Sequence, residues 1–135
     1  MKIVIDTNVV ASAIFFGGKP RTIIELLMKH NLKSYVTEEI VEEYKDTVNY
    51  LKEKYPKKNI NIPLSQIVGA CELIDAISDV KVCRDPNDDK FINCAIDSKA
   101  YYIVSGDKDL LTLEKYDNIE IITVGQFLEK IKRIL

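Results

Sequence analysis

Lys2-Ile3-Val4-Ile5-Asp6 is an apolar run of the chain that ends on an acid. A strand with one wet face alternates apolar and polar residues, whereas a strand covered on both faces stays apolar throughout. Residues 2–6 therefore read as a central strand of a parallel sheet. A second run of this kind, Tyr101-Tyr102-Ile103-Val104, leads through Ser105-Gly106 to Asp107. Open α/β sheets bind their ligands in the crevice outside the carboxyl ends of the strands. Both acids stand where such a crevice would open.

Between and beyond these runs the pattern alternates between helix and strand. Val9 to Phe16 reads as helical and is broken by Gly17-Gly18-Lys19-Pro20. Pro20 suits the first turn of a second helix reaching about His30, with Ile23, Ile24, Leu26, Leu27 and Met28 as its apolar face. A strand over Lys33 to Val36 follows. Thr37 is then an N-cap for a long helix over 38–54, with Glu38 and Glu39 favourably placed in its first turn. Residues 54–59 form a basic, polar connection. The remaining pattern predicts a helix over 64–77, a strand at 79–83, a helix over 88–99, the strand at 101–104, a helical turn at 107–112, a strand at 119–123 and a helix over 125–134. Strands separated by helices imply right-handed crossovers and a parallel sheet. The expectation is one domain over 1–135, a three-layer α/β/α sandwich with a mainly parallel central sheet.

Composition narrows the class. The chain is 47% hydrophobic and 30% charged, with a net charge of −2, as expected of a soluble globular protein. No apolar run approaches the roughly 20 residues that span a membrane, and the N-terminus enters a strand without the regions of a signal peptide. Cys71, Cys83 and Cys94 are odd in number and lack CxxC spacing, which suits reduced thiols in a cytoplasmic protein. Near-neutral charge argues against a broad grip on duplex DNA. Gly17-Gly18 lacks the context of a phosphate-binding loop, and His30, the lone histidine, sits at a predicted helix end, a poor place for a general base. Lys52, Lys54, Lys57 and Lys58 form a small basic cluster near Tyr55; a solvated helix end is its plain reading, and contact with RNA phosphates the sharper one.

Four acids carry the functional argument: Asp6, Glu43, Asp89 and Asp107. On the long helix Ile40, Val41, Tyr44, Val48 and Leu51 form the inward stripe. At about 100° per residue Glu43 lies on the border of that stripe and Glu42 points away. In Arg84-Asp85-Pro86-Asn87-Asp88-Asp89-Lys90-Phe91, Pro86 sets the helix start and places two acids at its N-terminal end. Both fall near the face defined by Ile92, Ala95 and Ile96, so periodicity leaves Asp88 and Asp89 as alternatives. Taken singly, each acid has a plain reading as a cap, a turn residue or a solvated flank. Gathered together they would repel one another unless a divalent cation were shared among them.

The order of these segments resembles the PIN-domain family, and within it the VapC-like toxin subgroup. The likeness rests on Ile3-Val4-Ile5-Asp6-Thr7-Asn8, Thr37-Glu38-Glu39-Ile40-Val41-Glu42-Glu43, Arg84-Asp85-Pro86-Asn87-Asp88-Asp89-Lys90-Phe91 and Ser105-Gly106-Asp107-Lys108-Asp109-Leu110-Leu111. It implies a Mg²⁺- or Mn²⁺-dependent ribonuclease with Asp6, Glu43, Asp89 and Asp107 as catalytic and metal-holding acids. The family's spacing from third to fourth acid favours Asp89 over Asp88. Asn8 and Ser105 match small polar residues that orient the acids or the metal's water, Asp109 matches a second, auxiliary acid of many members, and Asp88 stands as an auxiliary residue beside Asp89. An RNA substrate, an antitoxin protein and a homodimer are the partners the resemblance implies. Two other classes stay open: an RNA-binding or scaffolding module of the same fold with little turnover, and a phosphoacceptor domain. The latter is disfavoured because Asn8 stands where haloacid dehalogenases carry their second aspartate.

Overall fold

The strand at the N-terminus occupies the middle of the sheet. The computed structural model describes residues 1–60 and 62–134. Its elements in chain order are β1 (Lys2–Ile5), α1 (Thr7–Phe15), α2 (Gly18–Met28), β2 (Lys33–Val36), α3 (Glu38–Lys54), α4 (Leu64–Ala70) and β3 (Glu72–Leu73). After a 3-10 turn at Pro86–Asp88 come α5 (Asp89–Ser98), β4 (Tyr102–Val104), α6 (Lys108–Leu113), β5 (Lys115–Tyr116), β6 (Ile119–Ile122) and α7 (Val124–Ile134). The strands stand in the order β3-β2-β1-β4-β6-β5. All neighbours pair in parallel except β5 and β6, which form an antiparallel pair at one edge. Helices flank this sheet, giving the α/β sandwich anticipated from the pattern. No helix of the described residues is long and apolar enough to cross a membrane.

The topology places the crevice. The chain moves from β1 outward to β2 and β3, returns through α5 to β4 beside β1, and continues to β6. The direction of winding thus reverses between β1 and β4, and such a switch point opens a crevice at the strands' carboxyl ends. Ile3, Val4, Ile103 and Val104 are fully buried there, which is why both runs are apolar without alternation. The Asp6 amide donates to the Val104 carbonyl at 2.9 Å, so the pairing persists to the residue just past β1.

Two predicted elements differ. The helix predicted over 64–77 stops at Ala70, and Cys71 turns extended. Glu72 and Leu73 then pair with Tyr35 and Val36 of β2, a long-range ladder that overrides local helical preference. The strand predicted at 79–83 joins no ladder. Its place beside the fold is held by side chains of α5 instead. Asp97 Oδ2 accepts from the Ile77 and Ser78 amides at 2.8 and 3.0 Å. Asn93 Oδ1 accepts from Val80 at 2.8 Å, and Asp89 Oδ1 from Val82 and Cys83 at 3.1 and 2.8 Å. Residues 89, 93 and 97 share one helix face at four-residue spacing. They satisfy backbone donors that a neighbouring strand would otherwise have taken.

Candidate active site

Asp6 takes the N-cap position of α1, yet its side chain makes no capping bond there. Its Oδ2 accepts instead from the Ser105 hydroxyl at 2.7 Å. The same Ser105 oxygen accepts from the Asp107 amide at 2.9 Å. One fully buried hydroxyl therefore ties the acid after β1 to the loop after β4. Burial raises the Asp6 carboxyl to about 6, and the negative charges of Asp107 and Glu43 push the same way. Asp107 also serves its turn: its Oδ1 accepts from the Asp109 amide at 2.9 Å, capping α6.

Asp88 and Asp89 go to different places. Asp88 closes the 3-10 turn, is 6% exposed, and its Oδ2 has no hydrogen-bond partner. Burial raises its carboxyl to about 7, with Asp107 and Asp6 contributing charge. A buried, unanswered carboxylate oxygen facing two further acids is costly in isolation and suits a site that receives a cation. Asp89, by contrast, accepts from the Val82 and Cys83 amides. Although burial opposes it, those bonds hold its carboxyl below the usual carboxylate range. Spacing alone had favoured Asp89 as the third acid; in the structure Asp88 faces Asp6 and Asp107, and Asp89 pins the 82–83 backbone. The plain difference is that one carboxylate is already satisfied and the other is not.

Glu43 reaches the same neighbourhood from α3. Tyr44, fully buried beside it, donates its hydroxyl to the Ile5 carbonyl and so anchors this helix against the end of β1. Glu43 Oε2 accepts from the Thr7 hydroxyl, and Lys90 Nζ stands 2.6 Å from Oε1. Thr7 and Lys90 were not among the residues singled out from sequence, although each directly follows a singled-out acid. Among the auxiliary positions, Ser105 lies at the centre of the cluster. Asp109 pairs with Arg84 at 3.4 Å on the surface, and Asn8 is exposed.

Among the described residues, no three Asp, Glu, His or Cys side chains are arranged to hold a metal ion together as they stand. Asp89 accepts from the Val82 and Cys83 amides, and Glu43 is met by Thr7 and Lys90. The remaining donors, on Asp6, Asp88 and Asp107, are all hard oxygens. Mg²⁺ keeps several waters and takes only one or two carboxylates plus substrate phosphates, so it needs no all-protein cage. The orphaned Asp88 oxygen and the raised carboxyls of Asp6 and Asp88 fit such an ion.

The basic and aromatic features contact one another. Phe15 is buried, whereas Phe16 is 55% exposed and meets Tyr55 edge-on at 5.6 Å. Lys58 sits over Phe16 and Lys54 over Tyr55. The three cysteines are free, Cys94 buried and the others half-buried. His30 is exposed.

A sheet with a switch point between β1 and β4, and aspartates gathered at it, defines an α/β protein with a ligand crevice at the carboxyl ends of its strands. A family model described as a PIN domain matches residues 2–109, and the chain belongs to that family. Its relatives include MJ1680 of Methanocaldococcus jannaschii, an uncharacterized protein that is 32% identical over 147 residues, spanning all of this chain and 94% of its own. Among solved structures, the fold is similar to a chain in the crystal structure of VapBC2 from Rickettsia felis bound to a DNA fragment from their promoter. That likeness has a TM-score of 0.61 at 19% identity and covers 91% of this chain and 98% of the other.

Proposed function

We propose that this chain is a ribonuclease that hydrolyses RNA phosphodiester bonds with Mg²⁺ or Mn²⁺, held by Asp6, Asp88 and Asp107. The observation that carries the reading is the buried Asp88 oxygen without a partner, beside two more aspartates at the switch point. A divalent ion there would supply an activated water and stabilise the leaving oxygen. The chain's own residues prepare the place for it. Ser105 fixes Asp6 Oδ2 and the Asp107 backbone through one hydroxyl, so the two acids keep their relative positions. Burial excludes bulk water from Asp6 and Asp88, which strengthens their attraction for a cation. In this reading Asp88 takes the role that the family resemblance had given to Asp89.

The reading includes a role as the toxin of a toxin–antitoxin pair acting in the cytoplasm. Its support is membership of the PIN family together with a fold likeness to a chain of VapBC2. The test is cleavage of total cellular RNA with Mn²⁺ or Mg²⁺, beside an EDTA control and the Asp6→Asn variant. Metal-dependent products with 5′ phosphates, absent in the variant, are expected. Equal activity of the two proteins would mean contamination and defeat the reading. Metal binding by wild type without cleavage of any RNA offered would favour the non-cleaving RNA-binding module.

A further inference from the structure

Glu43 differs from the aspartates in one respect: the protein already answers its charge. Lys90 Nζ stands 2.6 Å from Glu43 Oε1, with side chains 11% and 31% exposed. The other ion pairs among the described residues span 3.4 to 3.8 Å between side chains 39% to 70% exposed. A short, partly desolvated pair of this kind is charge-assisted and weakly screened. The second carboxylate oxygen is taken as well, by the Thr7 hydroxyl. Lys90 lies on the first turn of α5, two residues beyond Asp88, so the ammonium is delivered by the helix that directly follows the orphaned carboxylate.

We propose that Lys90 takes the place of a second divalent cation: its ammonium neutralises Glu43, and the site accordingly receives one ion, on the aspartates, instead of two. This rests on the nuclease reading above. Paired metal ions sit about 3.5–4 Å apart and need carboxylate oxygens on both flanks. Glu43 is the further acid whose charge Asp6 feels, and both of its oxygens are occupied. A second divalent ion would also face the Lys90 ammonium across a few ångströms, where like charges repel strongly. Glu43 is thereby a positioning residue held on Thr7 and Lys90, not a ligand.

The test counts Mn²⁺ ions by calorimetry and by electron paramagnetic resonance, without RNA. One ion and an uncoupled spectrum are expected for wild type, for Lys90→Arg and for Glu43→Gln. Lys90→Met, which keeps length and removes charge, should bind two ions with a spin-coupled spectrum, and adding Glu43→Gln to it should return the count to one. A merely structural role for Lys90 would not produce that gain and its reversal. Two ions in wild type, or loss of an ion in Glu43→Gln, overturns the proposal even where Lys90→Met fails to fold. So does a count of one in folded Lys90→Met. Two ions with RNA cleavage would leave the nuclease reading standing, whereas no ion at all would remove both.

Discussion

The face of α5 and the crevice at the start of that helix treat their acids in opposite ways. On the side of α5 facing residues 77–83, Asp89 and Asp97 accept backbone amides, and both carboxyls lie below the usual range. At the crevice Asp6 and Asp88 are buried among other acids, and their carboxyls rise to about 6 and about 7. Asp88 and Asp89 are neighbours in sequence, so residue type and local sequence do not separate them. What separates them is supply of donors: the side facing residues 77–83 offers free N–H groups, and the crevice offers more carboxylates. A satisfied acid stabilises a fold, and an unsatisfied one waits for a ligand.

Substitution at these neighbours should show the contrast at its largest. Asp88→Asn should lower RNA cleavage on the order of 100-fold or more, since even groups that only support metal ligands cost 10–100-fold. Asp89→Asn keeps an oxygen at the position that accepts both amides and should change cleavage little. Matched steady-state assays decide this, and the reverse ranking would return Asp89 to the site. Asp89→Ala removes the acceptor altogether. Two charge-assisted bonds to backbone amides are then lost, and urea unfolding should register a loss of about 2–3 kcal/mol. A value near zero would mean that the 77–83 segment holds itself without the helix.

Ser105→Ala sharpens the crevice side. Losing the hydroxyl that orients Asp6 should reduce cleavage roughly tenfold. The Asp6 carboxyl should also titrate higher, because that hydrogen bond favours its charged form; carbon-detected NMR titration would show it. A smaller, graded effect belongs to pH. The carboxyls of Asp6 and Asp88 are raised on folding, so their contribution to metal-free stability is fully present below about pH 4. It is lost as pH rises through about 6 and about 7. Asp89 and Asp97 act with the opposite sign, contributing above the ordinary carboxylate range and losing that contribution as pH falls through their lowered values. Denaturant melts across pH in EDTA should therefore show a decline toward neutrality that Asp88→Asn flattens and added Mg²⁺ removes. The smallest effect is at the surface: Arg84→Ala breaks the exposed pair with Asp109 and should cost within about 0.5 kcal/mol.

Much of this architecture was legible because its signals are local. Unbroken apolar runs marked β1 and β4, and Thr37 caps α3 by accepting from the Ile40 amide at 3.3 Å, as its position beside Glu38 and Glu39 suggested. The acids at the ends of β1 and β4 followed from the same runs. What failed depended on partners remote in sequence. Glu72 and Leu73 became a strand because β2 had an open edge, and residues 79–83 lost strand status because α5 offered acceptors first. The choice between Asp88 and Asp89 had a geometric cause. Pro86–Asp88 form a 3-10 turn with three residues per turn, so Asp88 and Asp89 point to different surroundings, which α-helical periodicity could not tell apart. Thr7 and Lys90 escaped notice because a search for acids does not reveal which acids already have counter-charges.

The row of Asp89, Asn93 and Asp97 also sets how the molecule breathes. Amides of 77, 78, 80, 82 and 83 sit outside any strand, yet they should exchange slowly with deuterium as long as α5 keeps its place. Two of the three rungs are carboxylates and the middle one is an amide that does not titrate. Acid should therefore unfasten this strap from both ends first, with the Val80 amide the last to lose protection. Because the strap leads directly into the loop that carries Asp88, its exchange rate doubles as a clock for how often that loop is released.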